Sequence, residues 1–439
     1  MSAAAFDVLS RVLRELGFPA HAVPDPSVLP QVPLPSRLAT GDLAAASVAA
    51  AAIAAGLDPL ALRGDRIAAS YRSDRLLTLG GAAPAVWSRY SGFWRTTDGW
   101  IRTHGNYPHH AAALRRALGL LEDADADAVA TAVSTLSTAF AVARIVGAGG
   151  LAVAVDRENP GTDADLRERP LLDVRLPYGS MVDLPEPTVI RNDGRAPLAG
   201  IRVLDLTRVI AGPVATRTLA LLGADVLRID PPTLPEPEWQ HLDTGHGKRT
   251  APLDARSPAM RELADGADVV VLGYRPSALA RLGLSPEALL ARNPRLIVAQ
   301  LSAWGIEHPD SAGFDSLVQA ASGISWIESP DGIRPGVLPA QALDHSAGYL
   351  LAAAVTALVR RGGDEGRSSI VRTSLRRVAA ELLGMPRTPE PAPPEADGAG
   401  SDHSTQFIVD GRVITTTRPA LPGLEFAAPH AWGSDHARW

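Results

Sequence analysis

Residues 201–230 read IRVLDLTRVIAGPVATRTLALLGADVLRID. Ile201–Leu206 is the short apolar run that a buried strand needs. Ala211-Gly212-Pro213 interrupts it, and Val214–Leu222 continues with helix-forming residues up to Gly223. Asp225–Asp230 is then a second strand. Strand, helix and strand in this spacing form a βαβ unit, which requires parallel pairing.

The same alternation continues. ADVVVL (267–272) and RLIVAQL (295–301) are further strands, and helical stretches fall at Pro258–Leu263 and Pro286–Ala291. A long helix is expected over His345–Arg361, followed by GRSSIVRTSLRRVAAELL (366–383), a strand leading into a helix. The expected fold for 197–385 is therefore α/β, with an open, Rossmann-like, mainly parallel sheet and helices on both faces. A dinucleotide site is the first function to weigh, because Asp230 ends the second strand. The turn LTRVIAGPVATRTLA has one glycine followed by proline, not G-x-G-x-x-G. Without those glycines the backbone cannot approach a pyrophosphate closely, which argues against NAD or FAD.

Outside this segment, 1–36 is a short amphipathic helix and a Pro-rich linker, FPAHAVPDPSVLPQVPLP. Residues 37–180 read as a smaller α/β or α+β region. It holds an Ala-rich helix, a strand-like RIAASYRSDRLLTL, and helices near His110–Leu120 and Ala124–Arg144. Between them SGFWRTTDGWIRTH is a hairpin turning at Asp98-Gly99. A polar linker with Pro185, Pro187, Asn192 and Gly194 follows. Residues 386–403 read as a disordered linker, and 404–439 as a hairpin turning at Asp410-Gly411 plus a tail.

Composition excludes several classes. A net charge of −6 leaves no basic face for nucleic acid. There are no cysteines, so disulfides, thiolate metal sites and a cysteine nucleophile are excluded. Lys248 is the only lysine, a bias towards arginine that fits a GC-rich genome. Asp7, Arg11, Arg14 and Glu15 interrupt the first helix, so it is not a signal peptide. The longest apolar run, Leu43–Leu57, is too short to span a bilayer, so no membrane association is expected. The cytoplasm is the expected location.

PLAGIRVLDLTRVIAGPVATRTLALLGADVLRIDPP (197–232) resembles the opening of the family III CoA-transferases. That group includes formyl-CoA transferase, carnitine CoA-transferase and α-methylacyl-CoA racemase. HGKRTAPLD (246–254), ADVVVLGYRPSALARLGL (267–284), NPRLIVAQLSAWG (293–305), GFDSLVQAASGI (313–324) and LPAQALDHSAGYLLAAAVTALVRR (338–361) resemble further family blocks, in the same order. The resemblance implies coenzyme A, as acyl-CoA, and a carboxylic acid as the small-molecule partners. It also implies Asp344 as the nucleophile, passing through an aspartyl–acyl anhydride and an aspartyl-CoA thioester. Taken alone, Asp344 would be read as a helix N-cap. CoA phosphates imply cations near the sheet edge, and Lys248, Arg249, Arg208 and Arg275 are the candidates. Ile210 and Ala211 would pack along the cofactor.

The racemase branch uses a histidine where this chain has Phe314, and phenylalanine carries no proton. His345, beside Asp344, reads as a helix-start histidine. The resemblance breaks after the nucleophile, where the family's small domain is missing. SGFWRTTDGWIRTHGNYPHHAAALRRALGL (91–120) resembles that domain's opening instead, and GDLAAASVAAAAIAA (41–55) resembles the nucleophile segment. Asp42 is thus a rival nucleophile or a helix N-cap. Trp94, Trp100, His104, Tyr107, His109 and His110 are read as lining an acyl pocket or as core. No metal site is expected from the histidines. The family implies a homodimer, possibly interlocked. A catalytically silent CoA-binding scaffold and an acyl-CoA racemase or isomerase are the alternative functions.

Overall fold

The computed structural model describes residues 3–176, 196–361, 368–390 and 401–439. Its largest sheet has seven strands. From one edge they are Asp173–Arg175, Ser369–Ser374, Ile297–Ser302, Val269–Leu272, Arg202–Leu206, Asp225–Asp230 and Lys248–Pro252. Six run parallel, and Asp173–Arg175 pairs antiparallel with Ser369–Ser374. The four VVVL residues of the central strand are buried, as expected for a strand covered on both faces. The α/β expectation for this segment holds.

The far edge strand, Lys248–Pro252, is covered by the C-terminal tail. Thr250 N–H donates to Asp435, Asp435 N–H donates to the Thr250 carbonyl, and the Trp439 indole donates to the Leu263 carbonyl. The tail thus blocks an edge that would otherwise template pairing with another chain.

One face of the sheet carries the long helix Ala342–Arg361, which packs against both Ala211–Leu221 and Thr40–Ala55. Gly348 permits the first contact. A Cβ there would lie 2.6 Å from the Ala211 carbonyl oxygen. The alanines of Thr40–Ala55 permit the second, because small side chains let two helices approach. A single apolar core runs from Ala4 and Leu9 through Leu350 to Leu421. Val32 and Leu34 of the Pro-rich stretch are buried in it, so that stretch is packed structure. Among the described residues, only Ala342–Arg361 is long and apolar enough to cross a bilayer, and it is buried in this core.

The smaller unit is α+β. Phe93–Arg95, Trp100–Thr103 and Ala152–Ala154 form an antiparallel sheet. Helices Pro108–Leu118, Ala126–Ser134 and Thr138–Gly147 complete a separate core around Ile101, Leu114 and Ile145. Both expected hairpins form. Asp410 and Gly411 have φ of 48° and 74°, the left-handed pair that matches strand twist in a two-residue turn. Its strands, Ser404–Val409 and Arg412–Thr417, also pair with Thr78–Leu79.

RIAASYRSDRLLTL is a correction. It forms helices Gly64–Tyr71 and Ser73–Leu76. Ile67 and Tyr71 are one helical turn apart and both fully buried, and their spacing of four shares one face in a helix and in a strand alike, so the sequence pattern does not separate the two. The polar linker around Pro185 and most of the linker before residue 401 lie outside the described residues.

Candidate active site

Asp344 is the third residue of the long helix, and Asp42 is the third residue of Thr40–Ala55, which packs beside it. Both lie in the first helical turn, and Ala39 occupies the N-cap of the Ala-rich helix. Their surroundings differ. Asp42 is partly exposed. Asp344 is 5% exposed and opens into a cavity lined by Asp74, Trp87, His104, Tyr107, Ile210 and Phe314, among others. Val209, Trp239, Gln240 and Gln341 also line it. The cavity lies beyond the carboxyl ends of the central strands, where open α/β sheets place ligands. Its walls come from two parts of the chain. Asp74–Tyr107 precede the large sheet, and Val209–Asp344 belong to it.

The backbone N–H of Asp344 donates to Asp315 Oδ2 at 2.9 Å, and Gln319 Nε2 donates to Oδ1 at 2.5 Å. Burial, followed by the charge of Asp315, raises the Asp344 carboxyl well above the usual carboxylate range. Burial raises Asp315 to about 6, although the Asp344 and Leu343 N–H groups and Gln319 oppose it. Two carboxyls this close in a dry site resist double ionisation. A third carboxyl, Asp74, is raised to about 6 by burial and then by Asp243.

The turn after strand Arg202–Leu206 brings Ile210 into the cavity through strain. Val209 has φ of 72°, a left-handed value that a β-branched residue adopts at a cost of about 1–3 kcal/mol. Its N–H donates to Glu236 Oε1 at 3.4 Å. Glu236 also accepts from the Tyr107 hydroxyl at 2.5 Å, Arg228 at 2.6 Å and Arg208 at 3.3 Å. Burial would raise the Glu236 carboxyl, but Arg228 and Arg208 outweigh it and hold it low. One buried carboxylate thereby ties the small unit to the sheet.

Phe314, where the racemases have histidine, stacks on His104 at 3.9 Å with an interplanar angle of 7°. Burial, then the charge of Arg102, lowers His104 to about 3, so it stays neutral. His345 is turned away and stacks on Tyr71 at 5.0 Å.

The expected cations fall in different places. Arg208 sits at the cavity edge, with its guanidinium 4.6 Å over Tyr107. Arg275 is exposed on the same sheet edge and carries no ion pair among the described residues. Lys248 is 1% exposed, and its ammonium donates to Asp205, the Pro213 carbonyl and Thr216 at 2.6–3.0 Å. It clamps the start of helix Ala211–Leu221 to the sheet. Arg249 pairs with Asp225 at 2.9 Å at the amino ends of the strands, on the opposite side from the cavity. Ala211 is buried in the helix contact under Gly348.

Of the aromatic group, His104 and Tyr107 line the cavity. Trp94 is in the small unit's core, and Trp100 packs under Arg95. His109 and His110 flank Tyr107. Among the described residues no cluster of three or more His, Asp or Glu is arranged to hold a metal. Asp74, Trp87, Gln240 and Gln341 had no signature in the sequence. Gln240 is 5% exposed, and neither it nor Gln341 has a side-chain partner among the described residues. An isolated amide in an apolar window is a weak signal, and only the fold collects these around Asp344.

An open α/β domain with a buried carboxyl at its switch-point edge, closed by a small α+β unit, defines the class. Residues 198–409 match the model of CoA-transferase family III. A probable fatty acyl-CoA transferase of Mycobacterium tuberculosis is 32% identical over 243 residues, covering 48% of this chain and 61% of its own length. A succinate–glutarate CoA-transferase of Agrobacterium fabrum is 32% identical, covering 43% and 53%. A crystal structure of a hypothetical protein from Mycobacterium tuberculosis aligns with 34% identity and a TM-score of 0.40, covering 43% of this chain and 56% of that one. The chain thus spans 53–61% of the length of these three relatives.

Proposed function

We propose that the protein is a CoA-transferase that moves CoA from an acyl-CoA donor to a carboxylate acceptor, with Asp344 as nucleophile. The observation that carries this is the position of Asp344, which lines a cavity completed by the N-terminal region. The match of residues 198–409 to the family supports the reaction class.

The reaction runs in four exchanges. An Asp344 oxygen attacks the thioester carbonyl carbon, the C–S bond breaks, and CoA leaves as thiolate with a mixed anhydride behind. The thiolate attacks the Asp344 carbonyl, releasing the donor acid and leaving an aspartyl-CoA thioester. The acceptor carboxylate attacks that thioester, and the returning thiolate takes its acyl group from the new anhydride. Asp344 is regenerated, and no ATP is consumed because each intermediate keeps the thioester's energy.

Each addition develops an oxyanion that fixed N–H donors must meet. The free amides of Gln240 and Gln341 supply donors in the same cavity. Burial favours the protonated carboxyl of Asp344, so the attacking form grows as pH rises. CoA runs along Ile210, with Ala211 holding the turn from the helix contact behind it and Arg208 and Arg275 for the phosphates. Lys248 supports that turn from beneath, and Arg249 steadies the edge strand. The same reading carries a cytoplasmic location and a homodimer, and sizing of the purified protein checks the second.

Incubation with acyl-CoA, quenching with hydroxylamine or borohydride, and mass spectrometry of the Asp344 peptide test the assignment. An unmodified peptide across straight-chain, branched, aromatic and dicarboxylic donors would sink it. Modification at Asp42 would move the nucleophile and keep the chemistry.

A further inference from the structure

Arg102 lies on strand Trp100–Thr103, opposite Phe93 and Val153 on its neighbours. It is 7% exposed. Its guanidinium carbon sits 4.6 Å from the Phe93 ring centre and 5.3 Å from that of Trp87. Beyond those two rings it has no hydrogen bond and no ion pair among the described residues, and Nε is buried without a partner. This is unusual for a side chain that is effectively always charged. Buried cations are ordinarily paired, and an aromatic sandwich replaces only part of the lost hydration. Burial alone lowers the group, to about 10, with no carboxylate opposing it.

The location gives the unpaired charge a use. Trp87, one of the two rings on Arg102, is also a wall of the cavity that Asp344 lines, as is His104. Trp87 is 40% exposed and belongs to the stretch between Leu79 and Phe93 that has no helix or strand. A displacement of its ring would break no regular element. Behind it waits a planar fork of N–H donors matched to a pair of oxyanion oxygens.

We propose that Arg102 seats an oxyanion of the substrate, a carboxylate or phosphate oxygen pair, one ring beyond the cavity that Asp344 lines. A dicarboxylic acyl group would place its far carboxylate there, and CoA itself would place a phosphate there. The two sources share one chemistry and separate by experiment.

The test needs no turnover, so it is independent of the transferase reading. Glutarate, butyrate and inorganic phosphate are titrated into wild type, Arg102→Met and Arg102→Lys by calorimetry, with melting temperatures in parallel. Glutarate binding at least about tenfold tighter than butyrate, with the gap lost in Arg102→Met, supports a carboxylate seat. Phosphate binding that depends on Arg102, without a glutarate preference, supports a phosphate seat. Arg102→Lys keeps the charge without the fork and is expected to bind about tenfold more weakly. Unliganded Arg102→Met is expected to melt at or above wild type, since it removes an uncompensated charge. Should Arg102→Met or Arg102→Lys bind all three anions as wild type does, or wild type bind none, the proposal is overturned.

Discussion

The backbone N–H of Asp344 donates to a carboxyl oxygen of Asp315 at 2.9 Å, so the proposed nucleophile is held in place by its own electrostatic rival. Both carboxyls are raised in the fold. The protonated forms are therefore favoured by folding. Their stabilisation is complete below about pH 4, the unfolded value, and is lost as pH rises through the folded values. Asp344→Asn should raise the melting temperature at pH 8 and leave it nearly unchanged at pH 4. Calorimetric melts at the two pH values check this, and an equal shift at both would contradict it.

Activity should carry the opposite sign. The attacking carboxylate accumulates with pH, so kcat should climb on the acid side and level off above the pair's apparent values. Asp315→Asn removes the neighbouring charge, which should move that limb to lower pH. A kcat–pH profile of both proteins reads the displacement.

Lys248 stabilises as part of a buried cluster with Asp205, Thr216 and the Pro213 carbonyl. Lys248→Met leaves Asp205 buried and unpaired, and should cost about 3–5 kcal/mol. The Asp205→Asn/Lys248→Met double variant should recover much of that loss. Urea unfolding of the single and double variants measures it.

At Gly348 the helices touch backbone to backbone. Gly348→Ala puts a Cβ at 2.6 Å from the Ala211 oxygen and forces the long helix outward. The expected cost is about 1–3 kcal/mol in stability. Because Asp344 lies one turn earlier on the same helix, kcat should fall more than KM changes.

At Val209 the substitution should work in reverse. Val209→Gly releases a left-handed strain and should gain about 1 kcal/mol by chemical denaturation, net of the glycine's extra freedom when unfolded.

Much of this architecture was legible because it is local. The sheet strands announce themselves as apolar runs, and Asp410-Gly411 declares its turn. The helix over Gly64–Tyr71 was less legible, since the spacing of Ile67 and Tyr71 shares one face in a helix and in a strand alike. The Asp344 position emerged from motif order. Its cavity did not, because the walls come from residues as distant as Trp87 and Gln341, which meet only after the sheet is built. Lys248 looked like a phosphate ligand because charge is visible in a sequence and burial is not.

Helices Thr40–Ala55 and Ala342–Arg361 pack side by side although nearly three hundred residues separate them. On a ribosome adding roughly 5–20 residues per second, the first helix waits on the order of 15–60 s for the second. Through that interval only helices Ala3–Glu15 and Gly64–Tyr71 are there to cover its alanine-rich surface, and the face for the long helix stays open. Native pairing also closes a very long loop, which slows folding. The arrangement that completes the cavity thus ties the site to the last long helix to emerge, so the site cannot form until most of the chain has been made.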